Sequence, residues 1–145
     1  MSCEYAIREW LSIEQISLLP YARYWNDIEN EVSKEWYVLD GDFAKLERFL
    51  QTSGLTHQLQ KCIDILQQEF QITLSGIGAD LACGTTWAVP QLLAAGPVER
   101  IYCVDFSRHR ILKIGPVMME RYNVPSDRVV LCVGSFYQLD LPDGS

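Results

Sequence analysis

The spacing of hydrophobic residues changes near residue 70. Before that point apolar side chains recur every three or four residues, the period of an amphipathic helix. The two clearest series are Tyr21, Trp25, Ile28, Val32 and Trp36, and then Leu55, Leu59, Ile63 and Leu66. Beyond residue 70, short apolar runs alternate with helical stretches. The pattern predicts a helical N-terminal extension over residues 1–70 and an α/β portion over residues 71–145.

Local signals place the helix boundaries in the first part. Ser12, followed three residues later by Gln15, is typical of a capping box at a helix N-terminus, and Pro20 predicts the end of that helix. Gly41 precedes a second short helix, and Gly54 separates it from the next one.

Three apolar runs in the second part, residues 77–82, 101–104 and 129–133, predict strands. Helical stretches lie between them, and the second of these begins near Ser107 and is expected to kink at Gly115 and Pro116. Alternating strands and helices predict parallel βαβ units with right-handed crossovers. The fold expected is an α/β, Rossmann-like doubly wound parallel sheet, incomplete at three strands and preceded by the helical extension.

Composition and charge exclude several classes of protein. Of the 145 residues 48% are hydrophobic and 21% are charged, as in folded globular proteins. The formal net charge is −7, and no basic stripe points to nucleic acid. No apolar run is long enough for a membrane span, and the N-terminus does not resemble a signal peptide. Five cysteines without a C-x-x-C pair predict reduced thiols, a cytoplasmic location and no metal site.

The ends of the three predicted strands hold the candidate chemistry, because ligands of such sheets bind beyond the carboxyl ends of the strands. Residues 80–86 (DLACGTT) form a turn of small residues before a helix, where a ligand can approach bare backbone. Asp80 would repel a pyrophosphate but suits an ammonium group. The dinucleotide fingerprint G-x-G-x-x-G is not met, since Gly76 and Gly78 are followed by Leu81.

The second and third strand ends point to a nucleoside. Asp105 follows Gly84 by twenty-one residues, and a carboxylate at that place accepts hydrogen bonds from ribose hydroxyls. Gly134, Ser135 and Phe136 offer a backbone N–H and an aromatic ring for an adenine base. Asp105 alone does not separate NAD from other adenosine ligands.

Together these segments resemble class I S-adenosylmethionine-dependent methyltransferases. DLACGTT is similar to the first motif of that family, VDFS (residues 104–107) to its ribose-binding acidic end, and VGSFYQLDLPDGS (residues 133–145) to its third-strand segment. The resemblance implies that Asp80 faces the methionine ammonium, that Ala82 and Gly84 form the floor, and that Asp105 holds the ribose. It further implies that the adenine is bordered by Phe106, Ser135 and Phe136.

The resemblance also implies a reaction, in-line transfer of the cofactor's methyl group to a small-molecule acceptor, with the helical extension covering the cofactor. No general base is identified from the sequence. In the family a further strand lies beside strand one, so the predicted sheet has an open edge. We expect self-association or a C-terminal half to cover that edge.

Two departures from the family pattern keep other functions open. Thr86 stands where the family commonly has glycine, and Ser135 where an aspartate often meets the adenine amino group. Both favour a non-catalytic module that binds S-adenosylmethionine or acts through its helices. A nicotinamide-dependent oxidoreductase is a further alternative, and the missing glycine fingerprint weighs against it.

Overall fold

The computed structural model describes residues 4–20 and 43–144. The helix predicted from the series Tyr21 to Trp36 lies outside these residues. The described chain forms an α/β fold around a four-stranded, all-parallel sheet. The strands are β1 (Ala6–Glu9), β2 (Gly76–Leu81), β3 (Val98–Asp105) and β4 (Val129–Val133), in the order β1-β4-β3-β2. This architecture confirms the predicted parallel α/β sheet and is compatible with a Rossmann-like fold.

The three predicted strands correspond to β2, β3 and β4, which lie side by side in chain order. The register pairs Asp80 with Cys103 and Asp105 with Val133. Because paired residues of neighbouring strands point to the same face and successive residues alternate, Asp80 and Asp105 share one face of the sheet. In the described sheet β2 is an edge strand, as expected for strand one.

The fourth strand, β1, was not predicted. Its four residues pair with β4 in parallel, from Ala6 with Val130 to Glu9 with Val133. All four are exposed, so neither a buried run nor an alternating pattern marks the segment in the sequence. Its strand conformation depends on the partner β4, and the extension is therefore helical only in part.

Five described α-helices complete the fold: α1 (Ile13–Ser17), α2 (Phe43–Ser53), α3 (Leu55–Gln68), α4 (Val89–Ala94) and α5 (Gly115–Arg121). The capping box of α1 is confirmed, since Ser12 Oγ accepts the N–H of Gln15 and the Gln15 side chain accepts the N–H of Ser12. Gly54 separates α2 from α3 in a left-handed conformation with φ 72°. None of the helices in residues 4–20 and 43–144 is long and apolar enough to cross a membrane.

The irregularity expected at Gly115 and Pro116 takes the form of a π-helical turn, Arg110–Ile114, directly before α5. Proline has no N–H to continue the helical ladder. The N–H of Gly115 reaches back to the carbonyl of Arg110 instead, the wider spacing of a π-turn. Arg110, the first residue of this turn, is buried.

The main core lies on the face of the sheet that carries Cys103 and Leu131. Ile111, Met118 and Met119 pack on it from the π-turn and α5, and Leu46 and Leu50 of α2 join the same cluster. An ion pair between Arg121 Nε and Glu47 Oε1 (2.8 Å) ties α5 to α2 at the surface. This packing places α2 and the start of α3 near the carboxyl ends of the strands.

Candidate functional site

A cavity of about 580 Å³ opens at the carboxyl ends of β2, β3 and β4. It lies where ligands of parallel α/β sheets bind. The cavity brings together six of the seven predicted cofactor-binding residues, namely Ala82, Gly84, Asp105, Phe106, Ser135 and Phe136. The seventh, Asp80, does not line it.

The turn after β2 has an unusual backbone. Ala82, Gly84 and Thr86 have φ values of 58°, 56° and 62°, so every second residue is left-handed. This conformation suits glycine and is strained for a β-branched residue such as threonine. Thr86 is completely buried, and its hydroxyl donates to the carbonyl of Thr85 (2.6 Å). The sequence departure at Thr86 therefore falls on a residue whose backbone conformation is costly for threonine.

Asp105 is held in place by the protein's own backbone. Its Oδ2 accepts the N–H of Gly84 (2.9 Å), and its Oδ1 accepts the N–H of Ser107 (2.9 Å). The side chain is 3% exposed. An ionised carboxylate offers about four acceptor sites, so these two bonds leave capacity for two ribose hydroxyls. Through these two bonds Asp105 connects the turn after β2 to the start of the helical segment after β3, at the floor of the cavity.

Arg110 is a cavity residue that the sequence analysis missed. Its Nη1 lies 3.9 Å from Asp105 Oδ2, and its side chain is 10% exposed. A Cβ added to Gly84 would lie 3.7 Å from the same Nη1, so the guanidinium group rests against the turn after β2. The signal available in the sequence was a cation five residues after Asp105, within the helix that starts beside the cavity.

Asp80 lies on the same sheet face as Asp105 but has different surroundings. Its Oδ2 is buried and has no hydrogen-bond partner in the described part of the chain. Burial, together with the negative charge of Asp105, raises the pKa of Asp80 from its ordinary 3.8 to about 6. A carboxylate in this state gains from any positive charge brought near it.

The third strand end supplies an aromatic rim. Ser135 is buried, and its Oγ accepts the N–H of Tyr137 (3.2 Å), which fixes the turn after β4. Phe136 is 43% exposed, and its ring centroid lies 4.4 Å from that of Tyr137, which is 76% exposed. The exposed rings give a planar ligand a surface to stack on.

Helices α2 and α3 supply an apolar wall of the cavity. The individual residues of this wall were not assigned to a site in the sequence analysis. The wall residues are Leu46, Phe49, Leu50 and Leu55, and Trp87 adds a further aromatic side chain. All four wall residues lie in the N-terminal extension. Apolar walls with a few polar groups are typical of small-molecule sites.

The Cys83 thiol, which lines the cavity, is a poor nucleophile. Two causes raise the pKa of Cys83 well above its usual value: mainly the side-chain hydrogen bond with Cys103, and also burial. Only the thiolate form is an effective nucleophile or metal ligand. Within residues 4–20 and 43–144, no three His, Cys, Asp or Glu residues are grouped as a metal site.

Charge further defines what the cavity accepts. Its lining includes one acidic residue, Asp105, and one basic residue, Arg110, which offset each other. Asp80 adds a negative charge nearby when ionised. The charge of these groups therefore favours a ligand with a net positive charge.

No protein-family model matches the chain, and a search of curated proteins finds no significant match.

Proposed function

We propose that this protein binds S-adenosylmethionine and transfers its methyl group to a small-molecule acceptor. The observation that supports this most is the cavity at the carboxyl ends of β2, β3 and β4, where Gly84, Asp105, Ser135 and Phe136 meet. Three segments far apart in sequence contribute to it, in the order in which the resemblance uses them.

The charge of the site favours this cofactor over a nicotinamide dinucleotide. S-adenosylmethionine carries a sulfonium and an ammonium against one carboxylate, a net charge of +1. A dinucleotide brings a pyrophosphate, which the ionised Asp80 carboxylate would repel. The buried, unpartnered Oδ2 of Asp80 is the feature of the described residues that a cationic ligand would satisfy.

The residues of the site have distinct roles in this proposal. Asp105 accepts the ribose hydroxyls, Ala82 and Gly84 leave room for the ligand against bare backbone, and Phe106, Ser135 and Phe136 border the base. Asp80 faces the cationic amino acid portion. The cofactor supplies an activated methyl group, and the protein mainly positions the two reactants and excludes water.

No base is assigned to the reaction. An acceptor that arrives deprotonated needs none, and one that arrives protonated must lose its proton to a nearby group or to water. The apolar wall of Leu46, Phe49, Leu50 and Leu55 favours an uncharged or aromatic acceptor over a highly charged one.

A second candidate, a non-catalytic module that binds the cofactor, is favoured by the turn after β2. Thr86 is β-branched, left-handed and fully buried at a position where the family commonly has glycine. Binding of S-adenosylmethionine with no methyl transfer to any of a panel of small acceptors would favour this candidate.

Calorimetric titration with S-adenosylhomocysteine and, separately, with NAD tests the proposal. We expect the first to bind and the second not to bind. Asp105→Asn, which removes the charge but keeps an acceptor oxygen, should weaken S-adenosylhomocysteine at least tenfold because the bonds to ribose are no longer charge-assisted. Binding of NAD alone would contradict the proposal, and unchanged affinity of the variant would remove Asp105 from the ribose site.

A further inference from the structure

Asp80 is the one carboxylate near the cavity whose charge the described protein leaves uncompensated. Asp105 receives two backbone N–H groups and lies near Arg110. Asp80, on the adjacent strand and the same face, has a buried Oδ2 without a partner among the described residues. A cationic ligand can therefore compensate the negative charge of Asp80, whereas the protein itself already compensates that of Asp105.

The groups around Asp80 do not compensate its negative charge. From β3 it faces Asp105 and is paired in register with Cys103, and Cys83 of the following turn lies within reach of its charge. None of these three carries a positive charge. Arg110, the nearby cation of the π-turn, lies beside Asp105.

We propose that Asp80 makes this site discriminate by charge between the sulfonium cofactor and its thioether product. The inference rests on the proposed function and extends it to product release. S-adenosylmethionine and S-adenosylhomocysteine differ by one methyl group and one positive charge. Asp80 acts on that charge through space, so it does not have to line the cavity.

The consequence for the reaction cycle follows from charge balance. While the cofactor is bound, its positive charge offsets the Asp80 carboxylate. Methyl transfer removes the positive charge from the sulfur, so the net charge of the bound ligand falls from +1 to zero, and only the ammonium, beside the ligand's own carboxylate, remains to offset Asp80. The product is then held less tightly than the cofactor was, which favours its exchange for a new cofactor molecule.

The size of the effect can be estimated from Coulomb's law with an assumed separation. A unit charge about 10 Å away, at an effective dielectric constant of about 20, changes affinity by roughly tenfold. We therefore expect S-adenosylmethionine to bind about tenfold more tightly than S-adenosylhomocysteine when Asp80 is ionised. Because the Asp80 pKa is raised to about 6, this preference should decrease as the pH is lowered from about 7 to about 5.

The experiment measures dissociation constants of both ligands at about pH 5 and about pH 7 for the wild type, Asp80→Asn and Asp127→Asn. Asp127 is an exposed acid in the 3-10 turn Ser126–Arg128, so its variant makes the same charge change outside the cavity lining. A third ligand, an analogue with an ammonium-bearing carbon in place of the sulfonium, separates charge from the shape of the methyl group.

We expect Asp80→Asn to lose the preference for S-adenosylmethionine at both pH values and Asp127→Asn to retain it. The ammonium analogue should follow the cofactor and not the product. A preference in Asp80→Asn equal to that of the wild type would overturn the inference while leaving cofactor binding intact. Failure of the wild type to bind either adenosine ligand would instead overturn the proposed function, and the inference with it.

Discussion

Asp80 and Asp105 lie near the ends of neighbouring strands on one face of the sheet, but the groups that surround the two carboxylates differ. Asp105 is locked by the N–H groups of Gly84 and Ser107 and lies 3.9 Å from the Arg110 guanidinium. Asp80 has a buried oxygen with no partner in the described residues and a pKa raised to about 6. Asp105 forms part of the floor of the cavity. The ionised form of Asp80 is unfavourable in its surroundings, and a cationic ligand would stabilise it.

This contrast separates the structural role of a carboxylate from its binding role. A carboxylate that accepts bonds from the backbone of two elements stabilises the fold whether or not a ligand is present. An unpartnered buried carboxylate destabilises the fold, and such a cost is typical of functional sites.

The largest effect should come from Asp105→Ala. The change leaves the N–H groups of Gly84 and Ser107 without an acceptor and removes the counter-charge of the buried Arg110 side chain. We expect the free energy of unfolding to fall by about 3 kcal/mol, measured by urea denaturation. Asp105→Asn keeps one acceptor oxygen and should lose less. A loss below about 0.5 kcal/mol in Asp105→Ala would show that the bonds to Gly84 and Ser107 do not stabilise the fold.

Asp80→Asn should change the free energy of unfolding in the opposite direction and make the fold more stable. The folded pKa of Asp80, about 6, lies above the ordinary 3.8, so the stabilisation from its protonated form is complete below about pH 3.8 and lost as the pH rises through about 6. With allowance for partial exposure we expect Asp80→Asn to be more stable than the wild type by about 1–2 kcal/mol near pH 7.5. The difference should shrink near pH 4.5. Asp127→Asn serves as the control, and equal stability of wild type and Asp80→Asn at both pH values would contradict the prediction.

Phe136→Ala should act on binding more than on stability. Its ring is 43% exposed at the cavity rim, so truncation removes a stacking surface and little core packing. We expect a loss of about 1 kcal/mol in the binding of S-adenosylhomocysteine, roughly fivefold in affinity. Leu139→Ala provides a matched truncation of another exposed side chain beyond β4, outside the cavity lining. Equal losses in both variants would remove the ring of Phe136 from the base site.

The smallest effect should be that of Ala82→Gly, which alters the backbone next to both acids. Ala82 has φ 58°, a conformation that glycine adopts without strain. We expect the variant to be more stable by less than about 1 kcal/mol. Ala79→Gly, in the regular part of β2, should be less stable by about 0.5–1 kcal/mol. If Ala82→Gly were destabilising by the same amount, its left-handed conformation would not be a source of strain.

The sequence was sufficient for features that depend on local pattern. The apolar runs predicted β2, β3 and β4, and the signals at Ser12 and Gly54 predicted a helix cap and a helix boundary that the structure confirms. Parallel topology then placed six candidate residues at one cavity, because the carboxyl ends of parallel strands meet at one edge.

Features that depend on distant partners were missed. β1 is exposed along its whole length and exists through pairing with β4, so no local pattern predicts it. Arg110 lines the cavity from the first position of the π-turn, and in the sequence it is one of several cations in a helical stretch, as is typical of solvent-facing residues. Leu46 and Leu50 lie in the second short helix that the sequence predicts, and only the packing of α2 shows that they form a wall of the cavity.

A carbon-detected NMR titration of the Asp80 carboxyl group, with and without saturating S-adenosylmethionine, tests the proposed role of Asp80 most directly. In the free protein the Asp80 carboxyl should titrate with a midpoint of about 6, and bound cofactor should move that midpoint downward while S-adenosylhomocysteine leaves it nearer the free value. A midpoint near 3.8 in the free protein, or one that saturating S-adenosylmethionine does not move, would contradict the account.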